Sequence, residues 1–529
     1  MPSDRLDLRD RASALSALEG RVFDLAVIGG GITGAGVARD AAMRGLSVAL
    51  VEAEDFASGT SSRSSKMIHG GLRYLAMGDL ALVREAASER KIVQAIAPHL
   101  ARETPFVMPA RTAATIAKLR AGLWTFEKLG GVPRSRRHEV WDAEELARRE
   151  PAVRSQDLAG AVVYPEYLTD DARLTLANVR SAAAHGAVCL NHARATAIVV
   201  ENGQARGLDI GDSGGRGVRL AARQIVNAAG PWVDAIRALE AQGAAPRLKL
   251  SRGVHLVFDR RRIPVERTVI LPASDRRSVF AVPRGGAAYL GTTDTFHEPA
   301  DLWPPVTAED VDYLLAAANR GLALAPLTAR DVVATWSGVR PLVAEDGKSA
   351  SDVSRKDEMW EGPAGVLAIG GGKLTAYRRM AERVVDRVEA ALGRQVTPCR
   401  TATSPLPGGD VDVAGAIAAL RKAGIAEAER LVLLYGSEAT AIAADGGDVA
   451  AEARHAVLQE GALTLEDYWV RRSARAWFDV RGGEASLAPA AEAMAPLLGW
   501  SEADRADQIA HCRALRARSL DVVTKEQAA

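Results

Sequence analysis

Gly29-Gly30-Gly31-Ile32-Thr33-Gly34 forms a GxGxxG run directly after an apolar stretch, residues 23–28 (FDLAVI). In such a run Gly29 permits the tight turn, Gly31 lets the backbone approach a pyrophosphate, and Gly34 allows close packing of helix on strand. The helix that follows would face the phosphates with free N–H groups and the positive end of its dipole. Glu52 closes the next apolar run about 20 residues on, where a carboxylate can bond a ribose hydroxyl. The same acid would repel the extra phosphate of NADP. Two related signals lie far downstream: IVNAAG at 225–230, and Gly370-Gly371-Gly372-Lys373-Leu374-Thr375, which opens a helix. Contacts so dispersed suit an extended FAD better than NAD. A helix N-terminus near residue 373 would stabilise negative charge at the pyrimidine edge of a reduced flavin.

These residues need elements to hold them. Residues 23–28, the helical pattern from Gly34 to Gly45 and residues 46–51 make one βαβ unit. Helices are expected over 79–98, 171–186 and 374–392, and buried strands over 187–190, 224–229 and 366–369. Residues 247–340 hold β-like runs (254–258, 278–282, 288–291) that suit a mixed or antiparallel sheet. After Leu406-Pro407-Gly408-Gly409 the chain turns Ala-rich, with helical patterns over 411–518. The expected organisation is a polar lead-in (1–21) and interleaved FAD- and substrate-binding domains (22–400). The substrate part lies mainly at 80–165 and 240–345, and a helical C-terminal domain fills 401–529. The tail VVTKEQAA is expected to fray.

A chain of 529 residues calls for two or three domains. Lys+Arg 67 against Asp+Glu 66 leaves a formal charge of +1, which gives no support to a nucleic-acid partner. Cys189, Cys399 and Cys512 form no CxxC pair, so neither a zinc site nor a disulfide framework is indicated and no metal is expected. That usage favours a reducing compartment. The N-terminus is charged and has no apolar h-region, so no signal peptide is expected. No stretch approaches the ~18 apolar residues of a spanning helix. The expectation is a cytoplasmic protein, either free or lying on a membrane surface.

The stretch 60–75, TSSRSSKMIHGGLRYL, resembles the signature of the FAD-dependent glycerol-3-phosphate dehydrogenases, a family within the amino-acid-oxidase superfamily. DDARL (170–174), NAAGPW (227–232), GTTD (291–294), SGVRPL (337–342), GGKLTAYR (371–378) and VRRSAR (470–475) resemble family segments in the same order. The resemblance implies an α/β, glutathione-reductase-like FAD-binding fold with a mixed or antiparallel substrate sheet and an all-helical C-terminal cap. It implies oxidation of sn-glycerol 3-phosphate to dihydroxyacetone phosphate, with hydride passing to flavin N5 and electrons on to quinone. It places Arg73, Tyr74, His255, Arg340 and Lys373 at the substrate. It places Thr60, Ser61, Ser65, Lys66, His69, Gly71, Gly230, Gly372, Lys373, Leu374 and Thr375 at the cofactor, beside Gly29, Gly31, Thr33, Gly34 and Glu52.

The chemistry agrees with those residue types. The substrate phosphate carries about two negative charges, by analogy with a phosphoester whose second pKa is ~6. Arginine forks onto such oxygens best. Arg73 and Arg340 sit in Gly- and Pro-bearing motifs with apolar neighbours, where burial demands an anionic partner. Oxidising an alcohol also needs a base, and histidine suits the task. His255 is the expected base, and His69 is expected to orient the cofactor or its loop. Arg340 is an alternative means of stabilising a developing alkoxide. The sequence departs from the family in small ways: Thr33 stands where many relatives carry Asn, and Arg63 and Met67 replace smaller or aliphatic residues.

The resemblance also implies peripheral contact with the inner face of the cytoplasmic membrane, and a homodimer is compatible with it. Two basic segments offer surfaces: Arg134–Arg137, and the helix carrying Trp469, Arg471, Arg472, Arg475 and Trp477. Three alternatives stay open. One is a related enzyme acting on an amine or a 2-hydroxy acid. Another is an oxidase using oxygen, which in this family tends to carry an insertion not seen here. The third is a flavin binder without catalysis.

Overall fold

The protein is described from a computed structural model, which covers residues 4–69, 80–212, 214–275, 277–344 and 357–528. The expected Gly71, Arg73 and Tyr74 lie outside these described residues.

The strand Val22–Ile28 has Phe23, Leu25, Ala26 and Val27 fully buried. Enclosure on both faces is what a central parallel strand requires, and it explains the unbroken apolar run. Val48–Val51 pairs parallel on one side and Gly217–Asn227 parallel on the other. Val188–Leu190 and Leu367–Gly371 extend the sheet parallel beyond those two, and antiparallel Asp357–Glu361 closes one edge. Helix Ile32–Met43 packs on this sheet, against Asp171–Ala184 and Tyr377–Ala391.

A second sheet of ten strands is mixed, as expected. At one end of it lies the long antiparallel pair Leu248–Asp259 and Val332–Val343. Ala101–Ala110 and Gly160–Thr169 join it as an antiparallel pair. Thr268–Pro272 pairs parallel with Ala101–Ala110.

The C-terminal region is helical from Val413–Lys422 to Glu502–Ala528. It is tied to the FAD-binding part by buried ion pairs, Arg173–Glu460 and Arg180–Glu438, both 2.6 Å. The lead-in folds back onto it. Leu6 N donates to Gln459 O at 3.0 Å, and the short helix Arg11–Ser16 is capped by Asp10 and buries Leu15. Two expectations need correction. The last helix continues to Ala528 and buries Val523 where a frayed end was expected. The basic segment at 469–477 is no surface: Trp469, Arg471, Arg472, Arg475 and Trp477 are all buried. The cause is Asp55, which accepts from both Arg471 and Arg472 across the domain boundary. A widened helical turn, Asp467–Arg472, presents both guanidiniums to it. No described helix is long and apolar enough to cross a membrane.

Candidate active site

The glycine turn is shaped as its spacing demands. Gly29 has φ +108°, and an added Cβ would lie 2.6 Å from Ala228 O. At Gly34 an added Cβ would lie 1.9 Å from Gly29 O, so this glycine serves helix–strand packing beneath the site. Gly31 differs. An added Cβ there meets only Ser61 Oγ, at 3.1 Å, and the remaining space belongs to a cavity. Ser61 Oγ accepts from Ile32 N at 2.9 Å, fixing the first turn of the helix. Glu52 Oε2 accepts from Gly30 N at 2.6 Å and Oε1 from Glu54 N at 3.0 Å. Burial pushes the Glu52 carboxyl above its ordinary value, against the pull of these two amides.

The cavity measures about 1200 Å³. Gly29, Gly31, Thr33 and Glu52 line it, as do Thr60, Ser61, Ser65 and His69. Gly230, Arg340 and the run Gly372–Thr375 also line its walls. Thr375 Oγ1 donates to His69 O at 2.9 Å, joining the third glycine turn to the 60–69 segment. Lys66 does not line the cavity, contrary to expectation. Its ammonium turns inward to Asp171 Oδ1 (2.6 Å) and Ser62 O (2.9 Å), because the buried Asp171 carboxylate needs a cation.

One corner gathers the catalytic candidates. His255 and Trp336 are direct cross-strand partners, which places their rings on one face. The planes lie 11° apart with centroids 4.6 Å apart. On the other side the imidazole covers Gly291, where a Cβ would lie 2.0 Å from Cδ2. Arg340 lies flat over Gly253, and only a glycine leaves room for it. Its guanidinium donates to Thr292 Oγ1 at 2.9 Å and to Asp294 Oδ1 at 3.0 Å. His255 is only 1% exposed and is absent from the cavity wall. Ser65 stands between, with Oγ 2.8 Å from His255 Nε2. Burial, then Arg340 and Lys66, hold the imidazole well below its ordinary pKa, so it is neutral through neutral pH.

The sequence reading did not assign Ser65 to His255, nor Trp336 and Tyr289 to the same cluster. A period of two along SGVRPL, with Trp336 just before it, was the available signal. Asp55, His192 and Asp467 converge near the helical domain. Arg471 and Arg472 already neutralise those carboxylates, so this cluster is an ion-pair network.

The sequence matches the FAD dependent oxidoreductase family (DAO) over residues 24–378. The chain belongs to this FAD-dependent oxidoreductase family. Residues 399–505 match a second family, the C-terminal domain of alpha-glycerophosphate oxidase. A Bacillus subtilis protein named aerobic glycerol-3-phosphate dehydrogenase is 38% identical over 89% of this chain and 90% of its own. A Staphylococcus aureus protein of the same name is 39% identical over 87% and 88%. The solved glycerol-3-phosphate dehydrogenase of Bacillus halodurans, complexed with FAD, is 34% identical, with TM-score 0.82 over 98% of this chain and 99% of that one. FAD is the family's cofactor, and this cavity fits it. The cradle at Gly31 would be filled by any Cβ, a helix opens at its edge, and Glu52 stands at the end of the second strand.

Proposed function

We propose that the protein oxidises sn-glycerol 3-phosphate at C2 to dihydroxyacetone phosphate. The likeness to proteins named glycerol-3-phosphate dehydrogenase over nine-tenths of both chains supports the substrate. The observation that carries the reading is the shared corner: the Arg340 guanidinium over Gly253, and a neutral His255 two residues along the same strand. A fixed cation and a neutral imidazole are what a phosphorylated alcohol needs in order to be held and to lose a proton.

Bound FAD supplies the hydride acceptor. Gly29, Gly31, Thr33 and Ser61 would hold its pyrophosphate, and Glu52 its ribose. Thr60, His69, Gly230 and Gly372–Thr375 lie where they would line the remainder. Arg340 and Lys373 provide positive charge on the cavity wall, and Arg73 and Tyr74 are expected to join them. Thr292 and Asp294 pin Arg340, so its charge is aimed before substrate arrives and needs no reorganisation. Arg340→Ala should lower kcat/KM by roughly ten- to a hundred-fold with FAD retained, the loss of one charge-assisted contact. Unchanged kinetics would remove Arg340 from the site.

Electrons would pass on to a membrane quinone. The exposed helix Ala113–Leu129 supports membrane contact. Trp124 is 55% exposed, and Lys118, Arg120 and Lys128 are also exposed. Arg134 and Arg136 follow it at the surface. Basic residues near an anionic surface each contribute ~1 kcal/mol. Binding to anionic but not neutral vesicles would bear this out, and a homodimer is checked by light scattering.

The deciding experiment is anaerobic titration with sn-glycerol 3-phosphate, following flavin absorbance. Bleaching, with glycerol and lactate inert, supports the proposal. A flavin that stays oxidised rejects the substrate.

A further inference from the structure

The base is buried behind a hydroxyl. Ser65 lines the cavity, while His255 does not, and Ser65 Oγ lies 2.8 Å from His255 Nε2. We propose that Ser65 is the cavity-facing half of a proton relay, and that the substrate proton reaches His255 only through its hydroxyl. The inference rests on the function proposed above.

The surroundings hold Ser65 in this place. Tyr289 donates its hydroxyl hydrogen to Ser65 O at 3.0 Å. Trp336 Nε1 donates to Ser64 O at 3.2 Å. Ser64 donates from both N (3.0 Å) and Oγ (2.7 Å) to Asp171 Oδ2, and Lys66 Nζ closes on Asp171 Oδ1 at 2.6 Å. The two aromatic residues that clamp the Ser64–Ser65 backbone also pack on the imidazole: Trp336 stacked, and Tyr289 edge-on at 6.2 Å. Serine and histidine are therefore positioned by one scaffold. His255 Nδ1 is buried with no partner among the described residues. With Nε2 accepting from Ser65, Nδ1 carries the ring hydrogen.

The step balances as follows. The substrate O–H bond breaks and its proton goes to Ser65 Oγ. The Ser65 proton goes to His255 Nε2, giving the imidazolium. The C2–H bond breaks, its hydrogen leaving as hydride for which bound FAD would be the acceptor, and the C2–O double bond forms. The alcohol is oxidised by two electrons, Ser65 ends the step with its hydroxyl intact, and His255 is regenerated when the imidazolium proton leaves by the same hydroxyl.

The test uses FAD-loaded enzyme, three single variants (Ser65→Ala, Ser65→Thr and His255→Asn) and one double variant. In anaerobic stopped flow, Ser65→Ala should slow reduction by glycerol 3-phosphate ~100-fold, a general-base loss. Ser65→Thr, which keeps the hydroxyl, should recover most of the rate. The double variant Ser65→Ala/His255→Asn should be no slower than the slower single variant, as for groups acting as a unit. Independently of substrate, nitrogen-15 NMR of histidine-labelled oxidised enzyme should show a hydrogen-bonded His255 Nε2 that loses its bond in Ser65→Ala. Wild-type-like reduction in Ser65→Ala, multiplicative loss in the double variant, or an Nε2 signal indifferent to Ser65 would each overturn the relay. If the wild type itself is not reduced, the substrate reading fails, and the NMR signal alone decides the relay.

Discussion

The indole of Trp336 lies against the imidazole of His255, with centroids 4.6 Å apart and planes 11° apart. This contact fixes the ring in its plane and excludes water from one face. Trp336→Phe should therefore keep the fold but loosen the ring. Reduction of the bound flavin should slow while substrate affinity holds, because Trp336 touches the histidine and not the cavity. Trp336→Ala should also destabilise the protein by roughly 3–5 kcal/mol, the cost of removing a buried indole. Stopped-flow reduction and thermal melts separate the two effects.

Gly31 and Gly34 look alike in the sequence and should fail differently. Gly34→Ala collides with Gly29 O inside the fold and should cost ~1–3 kcal/mol or more, as overpacking does. Gly31→Ala meets only Ser61 Oγ and should leave the apoprotein melting near the wild-type temperature while weakening FAD retention. Apoprotein melts and flavin content after gel filtration decide between them.

Asp55 is the counter-ion of Arg471 and Arg472 across the domain boundary. Asp55→Ala leaves Arg472 buried without a carboxylate, and should cost roughly 3–5 kcal/mol. The expected outcome is a lowered or split melting transition, with earlier proteolysis near residue 405. A single wild-type transition would show that the network is dispensable.

The protein should lose stability in mild acid. Burial, aided by Arg173, holds His99 down at about 3 against an ordinary 6.5. As pH falls below 6.5 the unfolded chain takes this proton first, so the stability contributed by neutral His99 is lost between the two values. By about pH 5 the loss is about 2 kcal/mol. His255 and His455 are lowered too and act in the same direction. His192 acts oppositely. Burial lowers its pKa, but Asp467 outweighs this and raises it, so its contribution is lost as pH rises through the folded value. Melting temperature against pH should fall on the acid side, and His99→Gln should flatten that slope.

The parts legible in the sequence are those governed by local rules. The GxGxxG turn, the apolar strands and the Ala-rich helical region follow from spacing and composition, and each appears where expected. Glu52 ends the second strand as its spacing implies, but its bond to Gly30 N, which braces the turn, is not a motif feature. Arg471 and Arg472 read as a basic surface because their counter-ion Asp55 lies hundreds of positions away. The ion pair of Lys66 with Asp171 is likewise invisible in the chain read in order, because the two lie far apart in it. The screening of His255 by Ser65 depends on strand register, which a chain read in order does not display.

The parallel sheet around the strand Val22–Ile28 is complete only when Gly217–Asn227 arrives beside that strand and Leu367–Gly371 then pairs with Gly217–Asn227. A ribosome adding about 5–20 residues per second emits that last strand roughly half a minute after the first. Throughout that interval the nascent chain carries a sheet with unpaired edges, and the glycine turn has no opposite wall. The flavin is therefore loaded on a nearly finished polypeptide, and the early strands are the stretch most in need of a chaperone's cover.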